Sequence, residues 1–339
     1  MTDIALLGFG RIAQVHAKAI ASGNLPINVR AVADANPDAR AAAAQLGAKT
    51  FESVDELLSA GLELDAALVA SSTPFHVEHT TLALDAGLHV LCEKPLSEDV
   101  KEVRHLTALA AEKGLVLRTA FNRRFDPLFR DLKARIGTET GPVRSVHIIS
   151  RDPFPPPPGY PRSAGSMLRD MTIHDFDTAR YLVDDDIVAV TARGTGTFDT
   201  DALAVGDTDT VFLILEMARG TLIGIDNCRA TSYGFDQRIE VHGEAGTLHA
   251  GNEALPQATR IGAGGFTTPR LVDFFPTRYA QSYIDQLSSF GNAIAAAKAG
   301  AAPDDIAADG RDALQALQAA LAGWRSIVEG RRVTLEEVV

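Results

Sequence analysis

Asp170 and His174 stand four residues apart in the polar run Asp170-Met171-Thr172-Ile173-His174-Asp175-Phe176-Asp177-Thr178-Ala179-Arg180. On one helix they would share a face, with Cβ atoms roughly 5–6 Å apart. Imidazole accepts protons near neutral pH, and a carboxylate one turn away can orient it and stabilise the imidazolium that forms. Met171, Ile173 and Phe176 supply apolar neighbours. The same spacing also fits a capped, solvated helix start with an ordinary i,i+4 pair. Asp177 would extend the face to three ligands, but solvent or Arg180 accounts for it as readily, and no metal is expected. A second reactive group is Lys94, held between Glu93 and Pro95 after the apolar run 88–92. A lysine there can donate to a substrate hydroxyl and steady the alkoxide formed as hydride leaves; an ordinary surface lysine is the alternative.

Hydride loss needs an acceptor, and the start of the chain offers a place for one. Ile4-Ala5-Leu6-Leu7 runs into Gly8-Phe9-Gly10-Arg11-Ile12-Ala13, a Gly-x-Gly-x-x-Ala turn between a buried strand and a helix. Gly8 makes the turn, Gly10 admits a diphosphate to the backbone, and Ala13 keeps the helix close to the strand. The free N–H groups and positive dipole end then face the phosphates. Asp34 closes the next apolar run, where its carboxylate can accept from a ribose 2′-OH and repel a 2′-phosphate. The expected cofactor is NAD, not NADP. A strand–turn–helix using glycine for geometry alone is the competing reading.

Two kinds of architecture must position these groups. Apolar runs at 4–7, 29–33, 66–70, 88–92 and 115–121 alternate with helical stretches near 37–46, 75–86 and 97–113, the last capped by Ser97. That pattern predicts a parallel, doubly wound sheet covered on both faces. Ligands of such sheets bind beyond the carboxyl ends of the strands, where Gly8 to Gly10, Asp34, Ser71-Ser72-Thr73-Pro74 and Glu93-Lys94-Pro95 all fall. After Asn122 the grammar changes. Alternating segments at 187–198, 208–217, 221–228 and 237–250 predict an open, mostly antiparallel sheet with one polar face, accompanied by helices near 126–136, 166–183, 279–298 and 309–329. The run Pro153-Phe154-Pro155-Pro156-Pro157-Pro158 reads as a stiff connector or as a lid over 153–161.

The chain has 339 residues and a formal net charge of −12, which argues against general nucleic-acid binding. Its two cysteines, Cys92 and Cys228, lie in strand-like runs and read as buried thiols. No apolar run approaches a membrane span, and Met1-Thr2-Asp3 leads straight into the first strand, so a cytoplasmic protein without membrane partners is expected.

Several stretches carry a resemblance. Gly8 to Ala13, Ser72-Thr73-Pro74 with His76, and Ala86 through Cys92-Glu93-Lys94-Pro95 resemble the glucose-fructose oxidoreductase/inositol dehydrogenase (Gfo/Idh/MocA) family. Phe121-Asn122-Arg123-Arg124-Phe125-Asp126, the Asp170–Arg180 run, Tyr233-Gly234-Phe235-Asp236-Gln237-Arg238-Ile239-Glu240-Val241 and Phe274-Phe275-Pro276-Thr277-Arg278-Tyr279 resemble its inositol 2-dehydrogenase branch. The resemblance implies an N-terminal Rossmann NAD-binding domain over 1–121. It implies a C-terminal α/β domain over 122–339 that binds substrate and makes oligomer contacts through its open sheet, often as a tetramer. It also implies cofactor contacts from Gly8, Phe9, Gly10, Arg11, Ile12, Asp34, Ser72, Thr73, Pro74, His76, Glu93, Lys94 and Arg123. Lys94, Asp170 and His174 would act together on a substrate hydroxyl, with Arg123, Asp152 and Tyr233 lining the substrate site. Some relatives place histidine and asparagine where Ser150-Arg151-Asp152 stands, so this segment bears on which polyol fits. The reading is an NAD-dependent dehydrogenase of a neutral cyclitol or sugar, inositol first. Its rivals are another sugar dehydrogenase, an NAD-assisted glycosidase with no net turnover of NAD, and a non-catalytic NAD-binding regulator.

Overall fold

Ile4, Ala5, Leu6 and Leu7 are buried to within 1% of completely, as a strand covered on both faces requires. They belong to β1 (Thr2–Leu7), at the centre of a parallel sheet with β2 (Ile27–Ala33), β3 (Lys49–Phe51), β4 (Ala66–Val69), β5 (His89–Cys92) and β6 (Leu117–Thr119). The strand order is β3-β2-β1-β4-β5-β6. The chain therefore winds outward from β1 in one direction, then returns beside it and winds the other way. The computed structural model describes all residues except 156–165, 199–201, 203–205, 253–257, 268 and 304–305. It comprises two units, Met1–Asp126 with Gln281–Leu317, and Pro127–Ala280 with Gln318–Val339.

The helices of the first unit start where local chemistry tells them to. In α1 (Arg11–Ser22), Ala13, His16, Ala17 and Ile20 recur at helical spacing and are buried. Asn36 caps α2 (Pro37–Ala44) by accepting from Asp38 N–H, with proline at the first helical position. Ser53 caps α3 (Val54–Ser59) through Glu56 N–H. A 3₁₀ turn at Thr73–Phe75 leads into α4 (His76–Asp85). The cap of α5 (Val100–Glu112) is Asp99 and not Ser97: Asp99 accepts from Lys101 N–H, while Ser97 Oγ accepts from Asp99 N–H one step earlier.

The second unit contains α6 (Pro127–Arg135), β7 (Val143–Arg151), α7 (Met167–Asp170) and α8 (Ile173–Val183). There follow β8 (Ile187–Thr195), β9 (Thr210–Met217), β10 (Leu222–Cys228), β11 (Asp236–Gly243), β12 (Thr247–Ala250) and a hairpin, β13 (Arg260–Gly262) with β14 (Gly265–Thr267). The chain ends with α9 (Phe275–Arg278), α10 (Ala280–Lys298), α11 (Gly310–Glu329) and β15 (Val333–Thr334); the boundary between units falls within α11. The large sheet runs β12-β11-β7-β10-β9-β8-β15 and is antiparallel except for the β7–β10 pair. On one face Gly323 of α11 lies close to Leu168, Val190 and Leu213, where a side chain would crowd Leu168. The other face leaves Phe212, Ile214 and Leu222 at least half exposed.

The expected continuous helix over 166–183 is interrupted. Thr172 N–H reaches back to Met167 C=O and His174 N–H to Met171 C=O, so two α7/α8 bonds skip the regular i−4 partner. The consecutive β-branched residues Thr172 and Ile173 sit at this joint, where their restricted rotamers fit a regular turn poorly. Among the described residues no helix is long and apolar enough to cross a membrane. The proline-rich lid expected at 153–161 falls mostly outside the described residues.

Gly8 has φ +91°, and a Cβ there would lie 2.6 Å from Ser71 Cα and N. Gly8→Ala should therefore destabilise the chain by at least about 1–3 kcal/mol, measured as a lower urea midpoint. Gly10 has φ −72° and open space around its Cβ position, so Gly10→Ala should leave that midpoint nearly unchanged and weaken dinucleotide binding in a calorimetric titration.

Candidate active site

The glycine turn and the acid after β2 form one hydrogen-bonded unit. Gly8 N–H donates to Ala33 C=O at 2.8 Å, and Phe9 N–H donates to Asp34 Oδ2 at 2.6 Å. Asp34 Oδ1 accepts from Asn36 N–H at 2.8 Å. Each carboxylate oxygen thus has one main-chain donor and a remaining lone pair for a ribose hydroxyl. Arg40 Nη1 donates to the carbonyls of Asp34 and Ala35, at 2.7 and 2.9 Å. Gly10 caps α1 without a side chain, Arg11 is exposed, and Ile12 is half-buried. Open space at Gly10, a bare helix start and a half-buried carboxylate one strand away fit a dinucleotide.

The loops after β4 and β5 meet through His76. Its Nδ1 lies 2.7 Å from Pro95 C=O and its Nε2 3.0 Å from Ser71 C=O. Both partners only accept, so both ring nitrogens must donate and the buried ring is an imidazolium. Burial opposes that charge, but Cys92 and the two carbonyls outweigh it and hold the group up at about 9. His79 Nδ1 meets Ser71 Oγ at 3.0 Å; Ser72 follows as the N-cap of the 3₁₀ turn that holds Thr73 and Pro74. Burial, as the main cause, lowers the His79 pKa. Glu93 is buried and pairs with buried His16 at 2.7 Å; its other oxygen accepts Lys94 N–H at 3.3 Å. The Tyr283 ring meets the His16 ring edge-on at 5.3 Å. Lys94 is half-buried. Arg123 is buried in the turn Asn122–Phe125 that follows β6, beside Arg124, which pairs with Asp312 at 3.0 Å.

In the second unit Asp170 closes α7 and His174 lies in the first turn of α8, both half-buried. Arg229, the residue after β10, places Nη1 3.6 Å from Asp170 Oδ2 and Nη2 3.7 Å from Asp207 Oδ2. Asp207 Oδ1 accepts from Met167 N–H at 2.5 Å and Thr208 N–H at 2.8 Å. Burial raises the Asp207 pKa against the pull of Arg229 and these donors. Asp175, next to His174, is fully buried and accepts from Ser150 Oγ at 2.7 Å and Asn227 Nδ2 at 2.9 Å. Ser150 is thus turned into the interior, whereas Asp152 is half-buried just past β7, its N–H on Cys228 C=O at 3.0 Å. Asp177 is buried, so the solvated face weighed for it does not exist.

Tyr233 sits in a charged network. Its hydroxyl donates to Asp236 Oδ2 at 2.7 Å and accepts from Arg151 Nη1 at 3.0 Å. Arg238 and Asn252 also donate to Asp236, and Arg151 pairs with Asp226. Burial raises the Asp236 pKa, but Arg238, Asn252 and Tyr233 outweigh it and hold the carboxyl below its usual range. Tyr233, Asp236, Arg238, Asn252 and Arg270 line a cavity of about 550 Å³. Lys94 and Arg123 thus belong to the first unit, and Asp152, Asp170, His174 and Tyr233 to the second. Sequence reasoning missed Arg229, Asp207 and the His16–Glu93 pair. For Arg229, a cation directly after a buried alternating strand was the available signal.

Residues 2–121 match the Gfo/Idh/MocA oxidoreductase family with an NAD-binding Rossmann fold, and residues 129–249 match its C-terminal domain. The chain belongs to the Gfo/Idh/MocA family. It is 41% identical to an inositol 2-dehydrogenase of Rhizobium meliloti, covering 97% of this chain and 98% of that protein. It is 37% identical to a myo-inositol 2-dehydrogenase of Thermotoga maritima, with 99% of each covered. The crystal structure of a scyllo-inositol dehydrogenase from Lactobacillus casei, with bound NAD(H) and scyllo-inositol, superposes with a TM-score of 0.88 at 25% identity over 99% of each chain. The family assignment fits the glycine turn and makes NAD the cofactor of this chain.

A folded His76 value of about 9, above the ordinary 6.5, means the charged ring supports the fold fully below about pH 6.5. That support is lost as the pH rises through 9. The melting temperature should fall between pH 7 and 9.5, and His76→Gln should lower it at pH 7 and flatten the fall. Parallel curves for the two proteins would contradict the assignment.

Proposed function

We propose that this chain is an NAD-dependent cyclitol dehydrogenase that oxidises a ring hydroxyl of inositol, myo-inositol or an isomer, to the ketone. Near full-length likeness to two inositol 2-dehydrogenases, and to a scyllo-inositol dehydrogenase holding NAD(H) and scyllo-inositol, carries this reading. Residues 1–121, together with Arg123, bind the cofactor, and 122–339, together with Lys94, bind the polyol.

The glycine turn with Arg11 and Ile12 holds the diphosphate, Asp34 takes the ribose, and Ser72, Thr73, Pro74, His76, Glu93 and Arg123 border the remainder. NAD bound there supplies the hydride acceptor. His174 accepts the hydroxyl proton, Asp170 orients the imidazole, and Lys94 donates to the oxygen as negative charge develops on it. Arg123, Asp152 and Tyr233 take other ring hydroxyls. A lining of cations, carboxylates and a phenol suits a neutral polyol, which offers donors and acceptors, better than a sugar acid that Asp152 and Asp170 would repel. The half-exposed Phe212, Ile214 and Leu222 form the apolar part of a face for a second copy, towards a dimer or tetramer. Two free cysteines suit a reducing cytoplasm.

Absorbance at the NADH band, followed across inositols, aldoses, sugar acids and glycosides, should rise most with an inositol. It should also rise far more with NAD than with NADP. Turnover of a sugar acid alone, or cleavage of a glycoside with no net NADH, would overturn the reading. His174→Ala should lower kcat by roughly two to four powers of ten with NAD affinity kept. Lys94→Met should raise the barrier by about 3–4 kcal/mol, and a change confined to KM would count against its role.

A further inference from the structure

The side chain of Arg229 is 3% exposed, and its charge lies between two carboxylates at 3.6 and 3.7 Å. Its Nε and Nη2 make no hydrogen bond among the described residues. Asp207 is fixed by N–H groups of Met167 and Thr208, the first of them in the helix that ends at Asp170. One buried guanidinium thus serves two carboxylates at nearly equal range, and neither contact is a close fork that would monopolise it.

We infer that Arg229 is a positioning residue for proton transfer: it divides its charge between Asp170 and Asp207, and so sets how strongly Asp170 holds a proton on His174. The inference rests on the reading of Asp170 and His174 as the proton-handling pair. A carboxylate stabilises a neighbouring imidazolium in proportion to its uncompensated charge. Without Arg229, Asp170 would hold the imidazolium more tightly, and His174 would become a competent base only at higher pH. Without the charge on Asp207, Arg229 would belong to Asp170 alone, and the shift would run the other way. Charged groups on the neighbouring elements are Asp209, whose C=O accepts Arg229 N–H at 2.9 Å, Arg169 beside Asp170 on α7, Asp152 just past β7, and Asp175 and Asp177 on α8. All of these stay constant in the comparison. Asp207→Asn keeps the oxygen that caps Met167 and Thr208.

The test is the pH profile of kcat for NADH formation from myo-inositol by the wild type, Arg229→Gln, Arg229→Lys and Asp207→Asn, with urea midpoints measured alongside. Arg229→Gln should move the acid limb up by about one pH unit, Asp207→Asn should move it down, and Arg229→Lys should restore most of the wild-type limb. Opposed shifts cannot come from a merely structural role, which changes stability and not the sign. Unmoved limbs, or limbs moving together, overturn the inference. Should Arg229→Gln fail to fold, Asp207→Asn decides by moving the limb down or leaving it in place. If His174→Ala keeps near-native turnover, the proton-pair reading itself falls; if it abolishes turnover while the limbs stay fixed, only the role of Arg229 falls.

Discussion

The left-handed backbone at Gly8 is the constraint on which the first unit depends. β1 ends hard against the loop that follows β4, and a Cβ at Gly8 would overlap Ser71 main-chain atoms. Only glycine makes that approach without strain. Turning there directs Phe9 N–H into Asp34 and starts α1 three residues later with no side chain capping it. The diphosphate turn, the ribose acid and the loop bearing Ser72 to Pro74 are therefore one interlocked geometry. His76 extends it to the end of β5, joining the Ser71 and Pro95 carbonyls one residue from Lys94.

The second unit solves a different problem, that of aiming a histidine from a helix. Asp175 is buried without being solvated, and it binds Ser150 of β7 and Asn227 of β10. Hydrogen bonds to a charged group contribute about 1.5–3 kcal/mol each, so the start of α8 is fastened to two strands at the residue after His174. β7 and β10 run parallel in register, with Arg151 opposite Cys228, so the chain beyond both ends carries Asp152 and Arg229. The irregular joint between α7 and α8 then decides how Asp170 stands to His174, in place of the regular helical spacing.

The parallel sheet was legible because buried strands write continuous apolar runs, as do Ile4 to Leu7 of β1, Ala66 to Val69 of β4 and Val90 to Cys92 of β5. The open sheet was legible from alternation, as in β9, where Val211, Leu213 and Leu215 face inward and Phe212 and Ile214 outward. What stayed hidden depends on partners distant in sequence. Nothing near Ser150 announces that its hydroxyl turns to Asp175, and nothing near Arg229 announces Asp170 and Asp207. The helix joint at Thr172 was missed because apolar spacing reports which face is buried, not whether each main-chain bond is regular. Tyr233 and Lys94 were found as residue types in motifs, whereas the Arg151–Asp236 network around Tyr233 emerges only from the packing of β7 against β11.

Hydride transfer from a ring C–H of inositol to NAD is the step on which the proposed function rests. It is tested most directly with myo-inositol deuterated at C2, by locating the label in the reduced cofactor with mass spectrometry and NMR. The NADH should carry deuterium at nicotinamide C4, one label for each ketone formed. Unlabelled NADH, or consumption of substrate with no net NADH, would contradict it.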